Sequence, residues 1–493
     1  MPELFPRRAV LALLMLLLIP GMTTLAACDG DDDDGAGPQA PSTATATGEA
    51  TEPPEEGGDG GGPQLFDDAL TLETIEGLDS PTQIVFLEGN DALVAEKNGR
   101  IVRVTDGEVQ DEPVLELAAN YADERGVLGL TLHPDFASNS YVYVYWTWTG
   151  QGGVPDGFGG EPSDNIEQVP ANGNRIDRFV WDGERLTWDR EIAALPSKIT
   201  DLTLDRRRGN HNGGVLRFGP DGKLYAVIGD QNVRGHLTNV GDGAPIEETG
   251  IAAAVLRLND DGSVPDDNPF AAQGGDLAKV FAYGIRNSFG FDFESRTGAL
   301  WIEINGQAAY DTIVRLAAGA NAGWIQIMGP PERFDDYKAL EIDTDRQLDE
   351  PSFPPEELAS SADEALARLH LYPGAQYAAP QFSWRYAVAP AGFHFVRGAE
   401  LGDAYEGSLL VGDVNTGSIW HLRMGADGAL ELGGGLADGV NDNEPDTPVG
   451  EMQGHLFGSG FFVATDIETA PDGCVWITSI ANGAAYRICR TQP

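Results

Sequence analysis

The stretch GNHNGGVLRFGPDGKLYAVIGD, residues 209–230, decides the fold. His211 stands in a Gly/Asn turn; an alternating run follows, then a Pro-Asp-Gly turn, a second alternating run and a closing Asp230. Alternation of period two marks strands with one buried face, and the short turn marks an antiparallel hairpin. A histidine at the start of one strand and an acid at the end of the next fall at the same edge of that hairpin.

The plan recurs on both sides of this stretch. One series reads DALVAE from Asp91, SYVYVYWT from Ser140, GKLYAVIGD from Gly222, GALWIEI from Gly298, GSLLVGD from Gly407 and GCVWITS from Gly473. A second series follows each member, from GRIVRV at Gly99 through AAVLRL at Ala253 to AAYRI at Ala484. A third precedes each, from PTQIVFL at Pro81 through PAGFHFV at Pro390 to FFVATDIETAP at Phe461. Six members per series predict an all-β fold, a six-bladed β-propeller with inserted loops, over residues 64–493. Sixty-three glycines and 31 prolines suit many turns and short strands. A sandwich or a pair of domains is the alternative, and no linker-like break inside 64–493 supports it. Two insertions interrupt the repeats. Residues 150–173 read as a loop, and 331–376 carry a helical piece, PEELASSADEALARLHL. Such segments serve as lids or binding loops or merely decorate a rim, and the sequence leaves both open.

The N-terminal 63 residues are of another kind. Arg7 and Arg8, the apolar run AVLALLMLLLIPG and then Leu25-Ala26-Ala27-Cys28 have the order of an export signal over 1–27, too short in its apolar part for a membrane span. Small residues directly before Cys28 resemble a bacterial lipobox, with Cys28 lipidated and holding the protein on a membrane surface; an ordinary cleaved signal is the other reading. Residues 28–63, acidic and rich in Pro, Ser, Thr and Gly, read as a disordered tether. The remaining cysteines, Cys474 and Cys489, flank a hairpin pattern, and in an exported protein they are expected to form a cross-strand disulfide. A formal net charge of −47 argues against nucleic acid and against electrostatic docking to an anionic membrane.

In a propeller the first strand of each blade lines the axis, so residues at its start converge at one mouth. Here these are Thr82 and Gln83, Glu124 and Arg125, Asn210 and His211, Arg286 and Asn287, Trp384 and Arg385, and Phe461 with Phe462. His211 is the candidate for proton transfer, because only histidine titrates unperturbed near neutrality. Asp230 orients it or serves as a turn residue. His133, at the far end of its strand, reads as structural. Arg286 with Asn287 suits a carboxylate-bearing ligand. Glu124 and Arg125 either contribute or pair with each other. The turn Asn305-Gly306-Gln307, with Asp311, offers oxygens to a hard cation such as Ca²⁺. Trp301, Trp324 and Trp384 floor a sugar site or fill the core.

With these residues the chain resembles the soluble pyrroloquinoline quinone-dependent sugar dehydrogenases, the glucose, aldose and sorbosone dehydrogenase-like propellers. The resemblance covers nearly all of 78–489. It rests on RGVLGLTLHPDF at 125–136, the opening stretch, AYGIRNSFGFDF at 282–293, LWIEINGQ with Asp311, NAGW at 321–324, FSWR at 382–385 and TDIETAPDG at 465–473. It implies that His211 takes the proton of a sugar's anomeric hydroxyl while hydride passes to the quinone, with Asp230 in support. It implies that Arg286 and Asn287 contact the cofactor, and that carbonyls of the turn at Gly306 and Gln307 hold Ca²⁺. Glu124 stands where the glucose enzymes place a glutamine, and Ile304 and Thr312 stand where acids are common. The expected activity is oxidation of an aldose-type sugar, with an external quinone or cytochrome as electron acceptor. The alternative is a non-catalytic propeller that binds a glycan or a protein.

Overall fold

The computed structural model describes residues 62–151, 160–197, 209–233, 235–240, 250–345 and 358–491. The export signal, Cys28 and nearly all of the tether lie outside them.

The chain is an all-β propeller. Among the described residues the strands fall into six sheets. Their first strands are Pro81–Glu88, Val127–Leu132, Leu216–Phe218, Phe291–Phe293, Pro390–Phe395 and Ala464–Thr469. Each pairs antiparallel with the next strand in sequence, as the alternating runs require. In the hairpin of the opening stretch, Leu216 faces Ala226 and Phe218 faces Leu224.

The first strands neighbour one another around an axis. The Leu130 N–H donates to Gln83 Oε1 (2.8 Å) and the Ile84 N–H to Asp466 Oδ2 (3.0 Å). Arg217 Nε donates to the Phe291 carbonyl (2.7 Å) and the Phe395 N–H to Asp292 Oδ2 (2.9 Å). Charge gathers along these strands away from the His211 end. Arg217 pairs with Glu468 and with Asp466 (3.4 Å), and Asp292 takes Arg397 (2.7 Å) and His394 (3.2 Å). Burial and the neighbouring Glu468 push the Asp466 carboxyl well above its usual range. Burial opposes ionisation of Asp292 too, but Arg217, Arg397 and His394 outweigh it and hold that carboxyl far below.

Apolar residues on the strand faces pack between sheets; Trp146, Trp301, Trp384, Trp420 and Trp476 are all fully buried there. Two short segments near the start of the propeller complete the last sheets. Gln64–Leu65 pairs with Leu456–Ser459, and Leu70–Glu76 adds the outer strand against Ala484–Arg490. Sequence reading gave these strands no role, because LTLETIE buries little besides Leu70 and Ile75. Cys474 and Cys489 form the expected disulfide, with Cα atoms 4.6 Å apart across the C-terminal hairpin.

The insertion 331–376 carries the expected helix at Ala362–Arg368. Ser361 caps it by accepting from the Glu364 N–H (3.2 Å). A second helix, Phe334–Asp345, was not anticipated. Its acids break an apolar stripe, yet Phe334 and Tyr337 bury against the fourth sheet's cluster.

Candidate active site

Three neighbouring sheets bring their loops together around His211. Its backbone is left-handed (φ +57°), followed by Gly213 at +61° and Gly214 at +115°. A non-glycine residue in that region is uncommon and needs its surroundings to hold it. Here the His211 N–H donates to Glu124 Oε2 (2.6 Å) and Tyr145 O–H donates to the next carbonyl, Asn212 (2.9 Å). Only glycine fits at 229: a Cβ would lie 2.5 Å from the His211 carbonyl and 2.6 Å from Asn287 Oδ1.

The His211 ring is buried, and its Nδ1 lies 2.5 Å from Asp230 Oδ1. Asp230 is fully buried and fully engaged. Its Oδ1 also accepts from the Asn232 N–H (2.9 Å), its Oδ2 from Trp324 Nε1 (2.7 Å), and its own N–H donates to the Arg286 carbonyl (2.7 Å). Burial works against ionisation, but the His211 imidazole, its hydrogen bond and Arg286 outweigh it and hold the carboxyl below its usual range. An ionised Asp230 keeps a proton on Nδ1. Nε2 is then the ring's acceptor, the arrangement a general base needs.

Arg286 reaches over the Trp324 ring, with its guanidinium carbon 5.6 Å from the ring centre, and its Nε is buried without a partner. Asn287 Oδ1 accepts from the Gly213 N–H (3.2 Å), and its Nδ2 donates to Glu124 Oε2 (3.2 Å). The next turn joins here: the Asn305 N–H donates to the Asn287 carbonyl (3.0 Å), and Asn305 Oδ1 is buried without a partner. A buried unpaired guanidinium donor and a buried unpaired amide oxygen form an incomplete set, suited to a ligand that offers a carboxylate to the first and a hydrogen-bond donor or a cation to the second.

Asp311 does not face outward. Its Oδ1 accepts from the Gly306 N–H and its Oδ2 from the Val388 and Ala389 N–H groups, all at 2.7 Å. Burial, against those three bonds, pushes its carboxyl up to about 6. Asp311 therefore shapes the turn at Gly306, while Glu341 of the inserted helix accepts from Ala308 and Ala309 N–H on the other side (3.2 Å each). Among the described residues no group of three or more His, Cys, Asp or Glu is gathered as for a metal ion. Oxygen ligands at this turn would have to come from main-chain carbonyls or side-chain amides, such as the unpaired Asn305 Oδ1.

The structure thus gathers Glu124, His211, Asp230, Arg286, Asn287 and the turn at Gly306. It sets three expected residues apart. Arg125 donates to the Ile166 (2.9 Å) and Ser197 (2.7 Å) carbonyls and clamps a loop, and burial lowers its pKa to about 10. It does not pair with Glu124. Trp384 and Arg385 lie in Phe382–Tyr386, which pairs with Ala309–Leu316 on the outer side of the fourth sheet. Trp384 packs against Phe382 and Trp420, and Arg385 pairs with Asp336 (2.8 Å) and Glu444 (2.7 Å). Their proximity in sequence to Pro390 misled, because a turn with left-handed Ala389 separates the two strands. Phe461 is buried against Tyr486, and Phe462 is 47% exposed. Trp301 lies in the core. His133 accepts from the Asp135 N–H, as a structural turn residue would. Two partners escaped sequence reading. Trp324, expected as a sugar floor or core filler, donates through its indole to Asp230, and Lys97, half-buried beside Asp123 and Glu124, donates to the Tyr121 carbonyl (2.9 Å). No spacing in the sequence links Lys97 to residue 124.

Residues 78–358 match the family model of glucose/sorbosone dehydrogenases. The chain is 28% identical over 282 residues to quinoprotein glucose dehydrogenase B of Acinetobacter calcoaceticus, covering 54% of this chain and 53% of that protein. It is 27% identical over 252 residues to the aldose sugar dehydrogenase YliI of Escherichia coli strain K12, covering 50% of this chain and 59% of that protein. The chain thus spans little more than half the length of these two relatives. The apo form of the soluble aldose sugar dehydrogenase of Escherichia coli superposes with a TM-score of 0.60 at 19% identity, over 86% of this chain and 100% of that one.

Proposed function

The chain belongs to the glucose/sorbosone dehydrogenase family, and from that premise we propose that it oxidises an aldose-type sugar at the anomeric carbon with pyrroloquinoline quinone. The observation that carries this reading is the His211–Asp230–Trp324 chain, which leaves His211 Nε2 as an acceptor, together with the unpaired Arg286 Nε donor and the unpaired Asn305 Oδ1 acceptor. His211 takes the proton of the anomeric hydroxyl at Nε2, and Asp230 stabilises the imidazolium that results. As the C–H bond gives up its electron pair, the C–O bond becomes a carbonyl. When bound, the quinone supplies the two-electron acceptor. Arg286 and Asn287 hold its carboxylates and oxygens, and Glu124 fixes both His211 and Asn287. Main-chain carbonyls at Gly306 and Gln307 are the ligands we assign to Ca²⁺, with Asp311 shaping the turn beneath them. Arg125, Trp384 and Arg385 take no part in this scheme. Each of the six sheets is read as one blade.

Reconstitution of the purified chain with quinone and Ca²⁺, followed by dye reduction with a panel of aldoses, tests this. Turnover is expected, and His211→Ala is expected to lower kcat by about 100-fold or more, the usual contribution of a positioned base. Full activity in His211→Ala would remove His211 as base. Absence of quinone binding would favour the binding-module alternative. Export and anchoring through Cys28 belong to the same proposal, and loss of fatty-acid labelling in Cys28→Ser is the expected result. An external quinone or cytochrome receives the electrons. Among the described residues no helix is long and apolar enough to cross a membrane.

A further inference from the structure

Among the described residues of the insertion 331–376, His370 makes a contact beside the site that the mechanism above does not use. His236, in the loop after Asp230, and His370, just past helix Ala362–Arg368, lie ring on ring, with centroids 4.3 Å apart and planes 19° from parallel. His236 Nδ1 is buried without a partner. His370 is edged by Tyr372 at 4.7 Å, and Tyr372 packs on Phe270 and Tyr283. The main chain of His370 is pinned: its N–H donates to Asn239 Oδ1 (3.0 Å), and its carbonyl accepts from Tyr283 O–H (2.7 Å) and Asn321 Nδ2 (3.2 Å).

The loop under this stack is tied to the site at both ends. The Asn232 N–H donates to Asp230 Oδ1 (2.9 Å). Asn239 Nδ2 donates to the Trp324 carbonyl (2.6 Å) and the Ile325 N–H to the Thr238 carbonyl (2.8 Å), while the Trp324 indole holds Asp230. Displacing His236 therefore disturbs the backbone that fixes the Asp230 carboxylate.

Two imidazoles face to face at this distance tolerate one positive charge poorly and two worse, since the pair is partly out of water. Among the described residues, Tyr372 edges the His370 ring, while Tyr283, Asn239 and Asn321 bond its main chain. Among the described residues no carboxylate bonds either ring. Burial first, and then the neighbouring His236, hold His370 below the ordinary histidine value. Its folded pKa is depressed, so the stack is fully stable above the ordinary value and loses stability as pH falls below it.

We propose that His370 is a positioning residue: its neutral stack on His236 latches the turn from His236 to Asn239 against Trp324, and protonation of His370 releases that turn. The effect on catalysis rests on the reading of Asp230 given above; the latch itself does not. Hydrogen exchange of peptides from this loop, measured on the full chain at pH 8 and pH 5 and corrected for intrinsic rates, tests it. Wild type is expected to lose protection at pH 5. His370→Phe keeps a ring on His236 but cannot take up the charge, so it is expected to keep protection at both values, and the acid limb of its kcat–pH profile is expected to move to lower pH. Equal loss in wild type and variant, or no loss in wild type, overturns the latch. If neither protein turns over sugar, the dehydrogenase reading falls and the exchange data still judge the latch. Should His370→Phe not fold, His236→Phe provides the same comparison.

Discussion

Asp230 holds three donors at once: the His211 ring, the Asn232 N–H and the Trp324 indole. Asparagine there presents an N–H₂ to one of them and favours the wrong tautomer of His211. Asp230→Asn is therefore expected to keep the fold and lower kcat by about 100-fold or more in the dye assay, since a positioned base contributes on that scale. Glu303 makes the opposite case. It is buried; its Oε1 accepts from the Phe289 N–H and from Ser288 O–H (3.1 Å), and its Oε2 has no partner. Burial, added to by Asp311, raises its carboxyl well above the usual range. A raised folded pKa means stability that is present below the ordinary glutamate value and lost as pH rises toward the folded one. Glu303→Gln is expected to shrink the fall in Tm between pH 5 and pH 8, measured by calorimetry. His211, Arg286 and Asn287 were legible in the sequence because strand starts converge on a propeller axis, and Asp230 because it closes the hairpin that His211 opens. Trp324 was visible only as an aromatic, and Arg125 was visible only as a charge. Which carbonyl or carboxylate each would reach depends on loops far away in the chain.

At the scale of elements, the hairpin of residues 209–230 came through well. Period-two alternation and a Pro-Asp-Gly turn are local signals, and Leu216 and Ala226 pair as they imply. The C-terminal hairpin was equally local. Its disulfide closes a loop with a sequence separation of 15. Cys489→Ser is expected to cost about 3 kcal/mol by the chain-entropy estimate for such a loop, read as a lower midpoint in denaturant. Phe382–Tyr386 shows where local reasoning stops. It alternates like an inner strand and lies close before Pro390, yet it pairs with Ala309–Leu316 at the outer side of its sheet. Helix Phe334–Asp345 was missed for a related reason. Its acids obscure the periodicity, and its place is set by Tyr337 donating to the Ile325 carbonyl (3.1 Å) and by Glu341 at the turn near Gly306.

For the whole molecule, ring closure is the main structural demand. Sheets that share faces around an axis leave a seam, and here N-terminal strands cross it: Gln64–Leu65 completes the fifth sheet and Leu70–Glu76 the sixth. Deleting residues up to Gly77 is expected to abolish cooperative unfolding by circular dichroism, because two sheets lose an outer strand and Ile75 leaves its cluster. The sequence by itself determined the strand runs, the propeller class and the His–Asp edge, since period-two burial and turn chemistry are written into neighbouring residues. It also named the disulfide. Only the tertiary structure decided that Asp311 turns inward to three N–H groups, that Arg125 and Arg385 are engaged elsewhere, and that His236 meets His370 across the rim. These outcomes depend on which loops the closed ring places side by side, and partners that lie tens of residues apart leave no periodic trace in the chain.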